Sequence, residues 1–331
     1  MFDYIIKVFN YITNPDYYIY KNVLVFHYGF NKPLLNSLDK LTNLTHLTFG
    51  FHFNQPLSNS LVQLTNLTHL TFGWNFNQLL SNSLDKLINL THLTFGWYFN
   101  KPLDNSLNCL KSLTHLNFDM YFNQPLANSL IQLTNLTHIF FGSSFNKLLF
   151  DSLIQLTNLT HIFFGNSFNK PLFNSLDNLV NITHLAFGDD FNQPLTRTLY
   201  HLSKLKYLSL GYMFNQELNL PSNIKILTLN CNNQNLIDLL PNSIVQLNLG
   251  LNFNLPLDNL PNSITQLNLG FGFNSPLDNL PNSIKKISFK KESKYNNPLN
   301  NLPILLERLE LPRYYKLKIK NKPENCKIIY L

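Results

Sequence analysis

Seven histidines recur at one fixed interval, in steps of 23: His46, His69, His92, His115, His138, His161 and His184. A row of imidazoles at one spacing offers metal ligation, proton transfer or pH-dependent charging. Each ring belongs to a copied phrase, LTNLTHLTFGFHFNQPL at residues 41–57 and LTNLTHLTFGWNFNQLL at 64–80. If the phrase is extended, Leu47 and Phe49 face one way while His46 and Thr48 face the other. Stacked copies then hold neighbouring rings about 5 Å apart, the separation of hydrogen-bonded strands. Two such rings can share a Zn²⁺, but a strong site needs three or four ligands, and no cysteine or carboxylate repeats beside them. The row is read as neutral rings packed on a copied strand, with partner binding as the alternative. No metal or other cofactor is expected. Like charges at this spacing predict depressed histidine pKa values.

The next outward position carries more information because its copies disagree. It reads Thr48, Thr71, Thr94, Asn117, Phe140, Phe163 and Ala186. Phe140 and Phe163 are expected to be exposed and adjacent, and exposed apolar patches mark partner sites. Tyr207, Gln246, Gln266 and Lys286 then take the histidine position. The candidate partner-binding stripe therefore runs from His46 and Thr48 through Phe140 and Phe163 to His184 and Tyr207.

Nothing in the chain assembles an enzymatic constellation. There is no GxGxxG, P-loop, HExxH, GxSxG or CxxC, and the one adjacent acid pair is Asp189-Asp190. Acid–base chemistry needs paired groups in different environments, whereas copies of one unit share an environment. The expected class is a non-catalytic binding protein.

The elements that hold these faces are read from the dipeptide Phe-Asn. It recurs at Phe30, Phe53, Phe76, Phe99, Phe122, Phe145, Phe168, Phe191 and Phe214, again in steps of 23. The consensus is FNxPLxNSLxxLxNLTHLTFGxx. From about residue 215 the unit shortens, and FNLPLDNLPNSITQLNLGFG at 253–272 has a period of 20. A worn copy, NCNNQNL, lies at 230–236 and lacks the Phe. Each unit should supply one short strand, because Leu44, Leu47 and Phe49 follow L-x-x-L-x-L. In the return segment of the longer units, Leu57, Leu61 and Leu64 fall at i, i+4, i+7, which predicts one or two helical turns. In the shorter units Pro261 interrupts that stretch, so extended or 3₁₀ structure is expected. No unit can bury its apolar face alone, so stacking must close the core.

This predicts an α/β solenoid of stacked repeats. Parallel strands would form its concave face, and short helical, 3₁₀ or extended segments its convex face. The expected organisation is an N-terminal cap at 1–28, the longer repeats at 29–214, the shorter repeats at 215–303 and a basic cap at 304–331. The N-cap is expected as a short helix carrying Ile5, Ile6, Val8, Phe9 and Ile12, followed by a first strand at 22–26. At the far end LERLELP (306–312) should supply the last strand, with Lys316–Lys320 as a lysine-guarded edge.

The asparagine of each Phe-Asn pair has a structural task. A turn that leaves a strand holds buried backbone groups without ladder partners, and an amide can donate and accept at once. Asn31, Asn54, Asn77, Asn100, Asn123, Asn146, Asn169, Asn192 and Asn215 are therefore expected to form a ladder. The preceding phenylalanines would form a core column.

The charge balance narrows the partner. The net charge of +7 is uneven: residues 285–331 hold 12 Lys and Arg against 4 acids, or +8, and the rest 13 against 14, or −1. A nucleic-acid binder normally carries a basic stripe along its working face, so a protein partner is expected and nucleic acid is not. Cys109, Cys231 and Cys326 show no pairing pattern, which suits a reducing compartment. The start shows no secretory signal. No apolar run reaches the length of roughly 18 residues that a membrane span takes. The expected location is intracellular and cytoplasmic.

The FNxPL element, with the phrase LPNSIxxLxLG, resembles the FNIP repeat, a relative of the leucine-rich repeat. The resemblance covers about residues 29–300 in roughly thirteen in-phase copies. The family is typical of social amoebae and of giant DNA viruses that infect amoebae. In common leucine-rich repeats an Asn follows the last strand Leu by three residues. Here that slot holds His52, Asn75, Tyr98, Tyr121, Ser144, Ser167 and Asp190, so the turn must differ. Some family members carry an F-box that recruits them to ubiquitin ligases. The stretch before Phe30 is about half the length an F-box needs. The resemblance thus implies a protein-interaction solenoid. Its alternatives are a ligase substrate adaptor without its own F-box, and a member of an expanded family with little individual function.

Overall fold

The computed structural model describes residues 16–331. The chain divides into two compact units, Met1–Leu159 and Thr160–Leu331. The expected N-terminal helix over residues 5–12 lies outside the described residues.

The first unit is a stack of single-strand rungs. It opens with β1 (Tyr17–Tyr20) and β2 (Val23–Phe26), which pair antiparallel. Five three-residue strands follow: β3 (His46–Thr48), β4 (His69–Thr71), β5 (His92–Thr94), β6 (His115–Asn117) and β7 (His138–Phe140). From β2 to β7 every pairing is parallel and in repeat register, His46 opposite His69 and Leu47 opposite Leu70. The hairpin strand β1 belongs to no copy of the repeat, so periodicity does not reveal it. It sets Tyr17 edge-on to Phe26 at 6.0 Å and closes the first rung.

Within each rung the core positions are those the repeat spacing selects. Leu44, Leu47, Phe49, Phe53, Leu57, Leu61 and Leu64 are all buried. The Phe-Asn phenylalanines stack rung on rung, Phe53 to Phe76 at 6.0 Å and Phe76 to Phe99 at 6.1 Å. Each also lies on the strand-end phenylalanine of its own rung, as Phe76 does on Phe72 at 4.1 Å. Such a column buries large aromatic area in offset contact, the arrangement aromatic pairs favour.

The return segments of this unit are not helical, contrary to the i, i+4, i+7 expectation. Ser60, Val62, Leu64 and Leu67 donate to carbonyls three residues back, those of Leu57, Asn59, Leu61 and Leu64. The cause is a left-handed residue at the start of each return: Leu35, Ser58, Ser81, Asp104, Ala127 and Phe150 have φ between 38° and 46°. A residue in that region cannot continue a right-handed helix. The leucines still point inward, carried by successive turns instead of helical geometry.

The second unit follows the same plan with β8 (His161–Phe163), β9 (His184–Ala186), β10 (Tyr207–Leu210), β11 (Ile226–Leu229), β12 (Gln246–Leu249), β13 (Gln266–Leu269), β14 (Lys286–Phe289), β15 (Arg308–Leu311) and β16 (Lys327–Tyr330). All pair in parallel in chain order. Two short helices are present, α1 (Thr196–His201) and α2 (Gln234–Asp238). In the shorter units the return is extended with isolated turns, as the Leu-Pro phrase requires. The worn copy places buried Cys231 where the phenylalanine belongs, since Asn232 accepts from the Asn254 N–H as the Phe-Asn asparagines do.

The C-terminal end differs from expectation. The last strand is not 306–312, because β16 pairs with β15 beyond it. Lys316–Lys320 is not the edge strand either. It makes one parallel bridge, Ile319 with Leu299, and occupies the place of a Phe-Asn segment, with Tyr315 stacked on Tyr295 at 6.0 Å. Residues 313–331 are one more, heavily altered, rung.

Candidate functional site: the outer face of the strands

Strand alternation puts Leu47 and its equivalents inside and leaves the histidines and the residues two positions on half-buried on the solvent side. In the first unit the imidazoles form a continuous stack. His46, His69, His92, His115 and His138 follow one another with ring centroids 4.2 Å apart and planes within 11°. In the second unit His161 and His184 stack in the same way, and Tyr207 continues the row at 5.6 Å.

The tautomer of the stack follows from a proton count. The hydroxyl of Thr68 donates to the Thr45 carbonyl at 3.0 Å, and Thr91, Thr114 and Thr137 repeat the bond one rung on each. A hydroxyl has one proton to give. The contact of Thr68 Oγ1 with His69 Nδ1 at 2.9 Å must therefore be donated by the ring. The same holds at His92, His115 and His138. Each neutral ring is protonated at Nδ1, which leaves Nε2 as its acceptor nitrogen. The lone pairs of stacked rings run parallel and do not converge on one point. Among the described residues no group of three or more His, Cys, Asp or Glu side chains is placed to hold a metal ion.

Burial is the main influence on these rings, and neighbouring imidazoles add to it. Together they lower His69 to about 4, and they lower His92 and His115 as well. Burial and then Lys206 lower His184.

The second column is also in register, Thr48 with Thr71 and Thr94, then Asn117 with Phe140 in the first unit, and Phe163 with Ala186 in the second. Phe140 and Phe163 are half-buried, not fully exposed, because each ring leans on the histidine two residues before it, at 6.4 and 6.1 Å.

The asparagines serve the backbone. Asn54 N–H donates to Asn31 Oδ1 at 2.9 Å, Asn77 to Asn54, Asn100 to Asn77, Asn123 to Asn100 and Asn146 to Asn123. In the second unit Asn192 donates to Asn169 and Asn215 to Asn192. Glutamines one position on, such as Gln78, add a second donor to the same oxygen.

Periodicity does not reveal one surface of the first unit. The two positions after the strand glycine, or after His27 and Asp119 where these take its place, carry an aromatic ridge. Tyr28, Phe51, Trp74 and Trp97 are one column, with centroids 4.5–4.8 Å apart, and Tyr98 and Tyr121 are another at 5.1 Å. At Gly73 a Cβ would sit 1.8 Å from the Gly50 carbonyl oxygen, so the turns approach one another closely there. Backbone bonds fix the register, Asn75 N–H to Phe51 O and Tyr98 N–H to Trp74 O. The signal is in the sequence as FH, WN, WY and MY, in the slot where the copies differ most.

The second unit also holds a polar face. Asn268 donates to Asn248 and Asn248 to Thr228, in the column that leads to Ser288 and Glu310. Hydrogen bonding from Ser288 and then from Arg308, opposed by burial, holds the Glu310 carboxyl below its usual range.

Rungs of one short parallel strand, a Phe and Leu core and a polar outer strand face define a leucine-rich-repeat-like solenoid. Residues 214–252, 232–272 and 252–292 of it match the FNIP repeat. The chain is 31% identical to CroV588, a circular leucine-rich-repeat protein of a giant virus, with a TM-score of 0.75 over 95% of this chain. The chain spans half the length of CroV588. The fold is also similar to chains in the Drosophila Toll–Spätzle complex, at 18% identity and TM-score 0.60 over 93% of this chain and 47% of that one. A chain of the TLR13–ssRNA13 complex is similar at 16% identity and TM-score 0.60, over 89% and 47%. No curated protein sequence is significantly similar to the chain. No described helix is long and apolar enough to cross a membrane.

Proposed function

We propose that the protein is a non-catalytic binding solenoid that takes a protein partner on the outer face of its strands. One observation carries the reading. Core positions repeat with little change, while the half-buried outer column runs from Thr48 through Asn117 to Phe140 in the first unit and from Phe163 to Ala186 in the second. A face needed only for stacking has no reason to diverge while the core beneath it stays constant. Structures of this fold occur in a Toll–Spätzle complex and in a TLR13–ssRNA13 complex, so the fold alone does not select the partner class. Charge favours a protein on the strands of the first unit, where residues 16–159 hold 7 Lys and Arg against 6 Asp, or +1, little for phosphate-backbone binding.

The test is affinity capture from cells with the full chain and with Phe140→Ser/Phe163→Ser. A partner recovered by the first and lost with the second, at unchanged circular dichroism, supports the reading. Recovery of the same partner by both refutes the site. Co-recovery of a cullin-type ligase core would place the protein among substrate adaptors.

A further inference from the structure

The aromatic ridge of the first unit lies in the turns after the strands and is distinct from the strand face. Tyr28 is 64% exposed, Trp74 44%, Tyr98 48% and Tyr121 43%. Solvent exposure of so many aromatics in adjacent rungs marks an interaction site, and Trp and Tyr are the residues most often found at binding hot spots.

Four properties specify what fits there. First, the ring faces are already used. Phe51 and Trp97 cover both sides of Trp74, at 4.8 and 4.5 Å, so the ridge presents edges. A nucleobase needs an open aromatic face and is excluded from the interior of the column. Second, the ridge carries no Asp, Glu, Lys or Arg: Tyr28, Phe51, Trp74, Trp97, Tyr98 and Tyr121 line it, with the His52 ring edge-on to Tyr28 and Phe51 at 4.9 Å. Third, it offers donors. The indole N–H groups of Trp74 and Trp97 and the hydroxyls of Tyr98 and Tyr121 find no acceptor among the described residues. Fourth, its repeat is fixed by the strand spacing of about 4.8 Å, so alternate rungs lie about 9.6 Å apart. A polyproline II helix repeats every three residues, or about 9.3 Å. It would keep the same face toward every second rung, Phe51 and Trp97 for instance. An extended β-type peptide repeats every second residue, or about 6.7 Å, and falls out of step. Proline-rich segments also carry carbonyls that need donors and few N–H groups of their own, which matches an edge rich in N–H and O–H.

We infer that the ridge from Tyr28 to Tyr121 is a docking site for a neutral proline-rich segment in the polyproline II conformation, running across the rungs. Prolines would pack between ring edges, and their carbonyls would accept from Trp74 and Trp97.

The chain contains two tryptophans, and both lie in the ridge, so intrinsic fluorescence reads the site directly. The full chain is titrated with a twelve-residue neutral proline-rich peptide, with a Gly/Ser peptide of equal length as control. The expected result is a saturable change of tryptophan emission with the proline-rich peptide and none with the control. Trp97→Phe keeps a ring and removes one donor, and should weaken binding roughly 2- to 12-fold. Tyr98→Ala/Tyr121→Ala keeps both tryptophans and should abolish the saturable change. Absence of saturation at millimolar peptide, an equal response to the Gly/Ser peptide, or full affinity in the tyrosine variant at native circular dichroism would each overturn the inference. Concentration-dependent sedimentation without peptide would overturn it too, by assigning the ridge to a second copy of the chain. Phe140→Ser/Phe163→Ser should leave this titration unchanged, which separates it from the strand-face reading.

Discussion

Acidification should loosen the first unit through its histidine stack, and His69 sets the scale. Its folded-state pKa is about 4 against an ordinary 6.5, chiefly because the ring is desolvated and secondly because His46, His92 and His115 surround it. The unfolded chain therefore takes up the proton first. Stability from the neutral ring is complete above about pH 6.5 and is lost as pH falls through the window from 6.5 to 4. Between pH 7.5 and 5 the linkage integral is roughly 2 kcal/mol for a fully effective shift. His69 is only half-buried, and solvent screening brings this to about 1 kcal/mol. His92 and His115 act in the same direction. The assay is urea unfolding at pH 7.5, 6.5, 5.5 and 4.5, followed by the emission of Trp74 and Trp97, which both belong to this unit. His69→Gln keeps a group able to bond Thr68 but cannot titrate. Its loss of stability toward pH 5 should be about 1 kcal/mol smaller than that of the unaltered chain. Identical pH profiles for the two chains would refute the reasoning. So would a ring nitrogen resonance showing the neutral proton on Nε2, because the threonine relay requires it on Nδ1.

Three further outcomes follow from the same geometry. Phe150→Asn should raise stability by up to about 1 kcal/mol in urea, because Phe150 is 64% exposed at φ 43° and asparagine tolerates that region at less cost. Asn77→Ala removes the acceptor of Asn100 N–H and should cost about 1–3 kcal/mol, read as a lower urea midpoint at unchanged slope. Cys231 replaces a core phenylalanine, and burial pushes its thiol up to about 11. In the native protein at pH 8 a thiol reagent should label half-exposed Cys109 well before Cys231, and equal rates would contradict the assigned core position.

Much of this fold is legible in one sequence because a repeat states its own register. Phe53, Leu57 and Leu61 fall in the core, and His46 and Thr48 on the opposite strand face, since alternation follows from strand geometry alone. The helical expectation for 56–64 fails for a reason periodicity cannot carry. Leu57, Leu61 and Leu64 need only point inward, and a left-handed Ser58 with successive turns does this as well as a helix. No glycine or asparagine announces that residue, because the stack above and below imposes its conformation. The two ends escape periodicity for a related reason. Strand β1 and the rung at 313–331 match the repeat poorly, and only their neighbours show that Tyr17 covers Phe26 and that Tyr315 continues the column of Phe253, Phe273 and Tyr295.

The sequence by itself determined the stacked architecture, the apolar core of each rung and the outward place of the histidines, because these depend on the repeat spacing and on strand alternation. Tertiary structure decided the rest. It placed the threonine hydroxyls against the carbonyls one rung back, and so chose the histidine tautomer. It brought Trp74 between Phe51 and Trp97, which leaves only the Trp74 edge to a partner. Both outcomes depend on contacts between equivalent positions of successive copies, whose geometry exists only once the rungs are stacked.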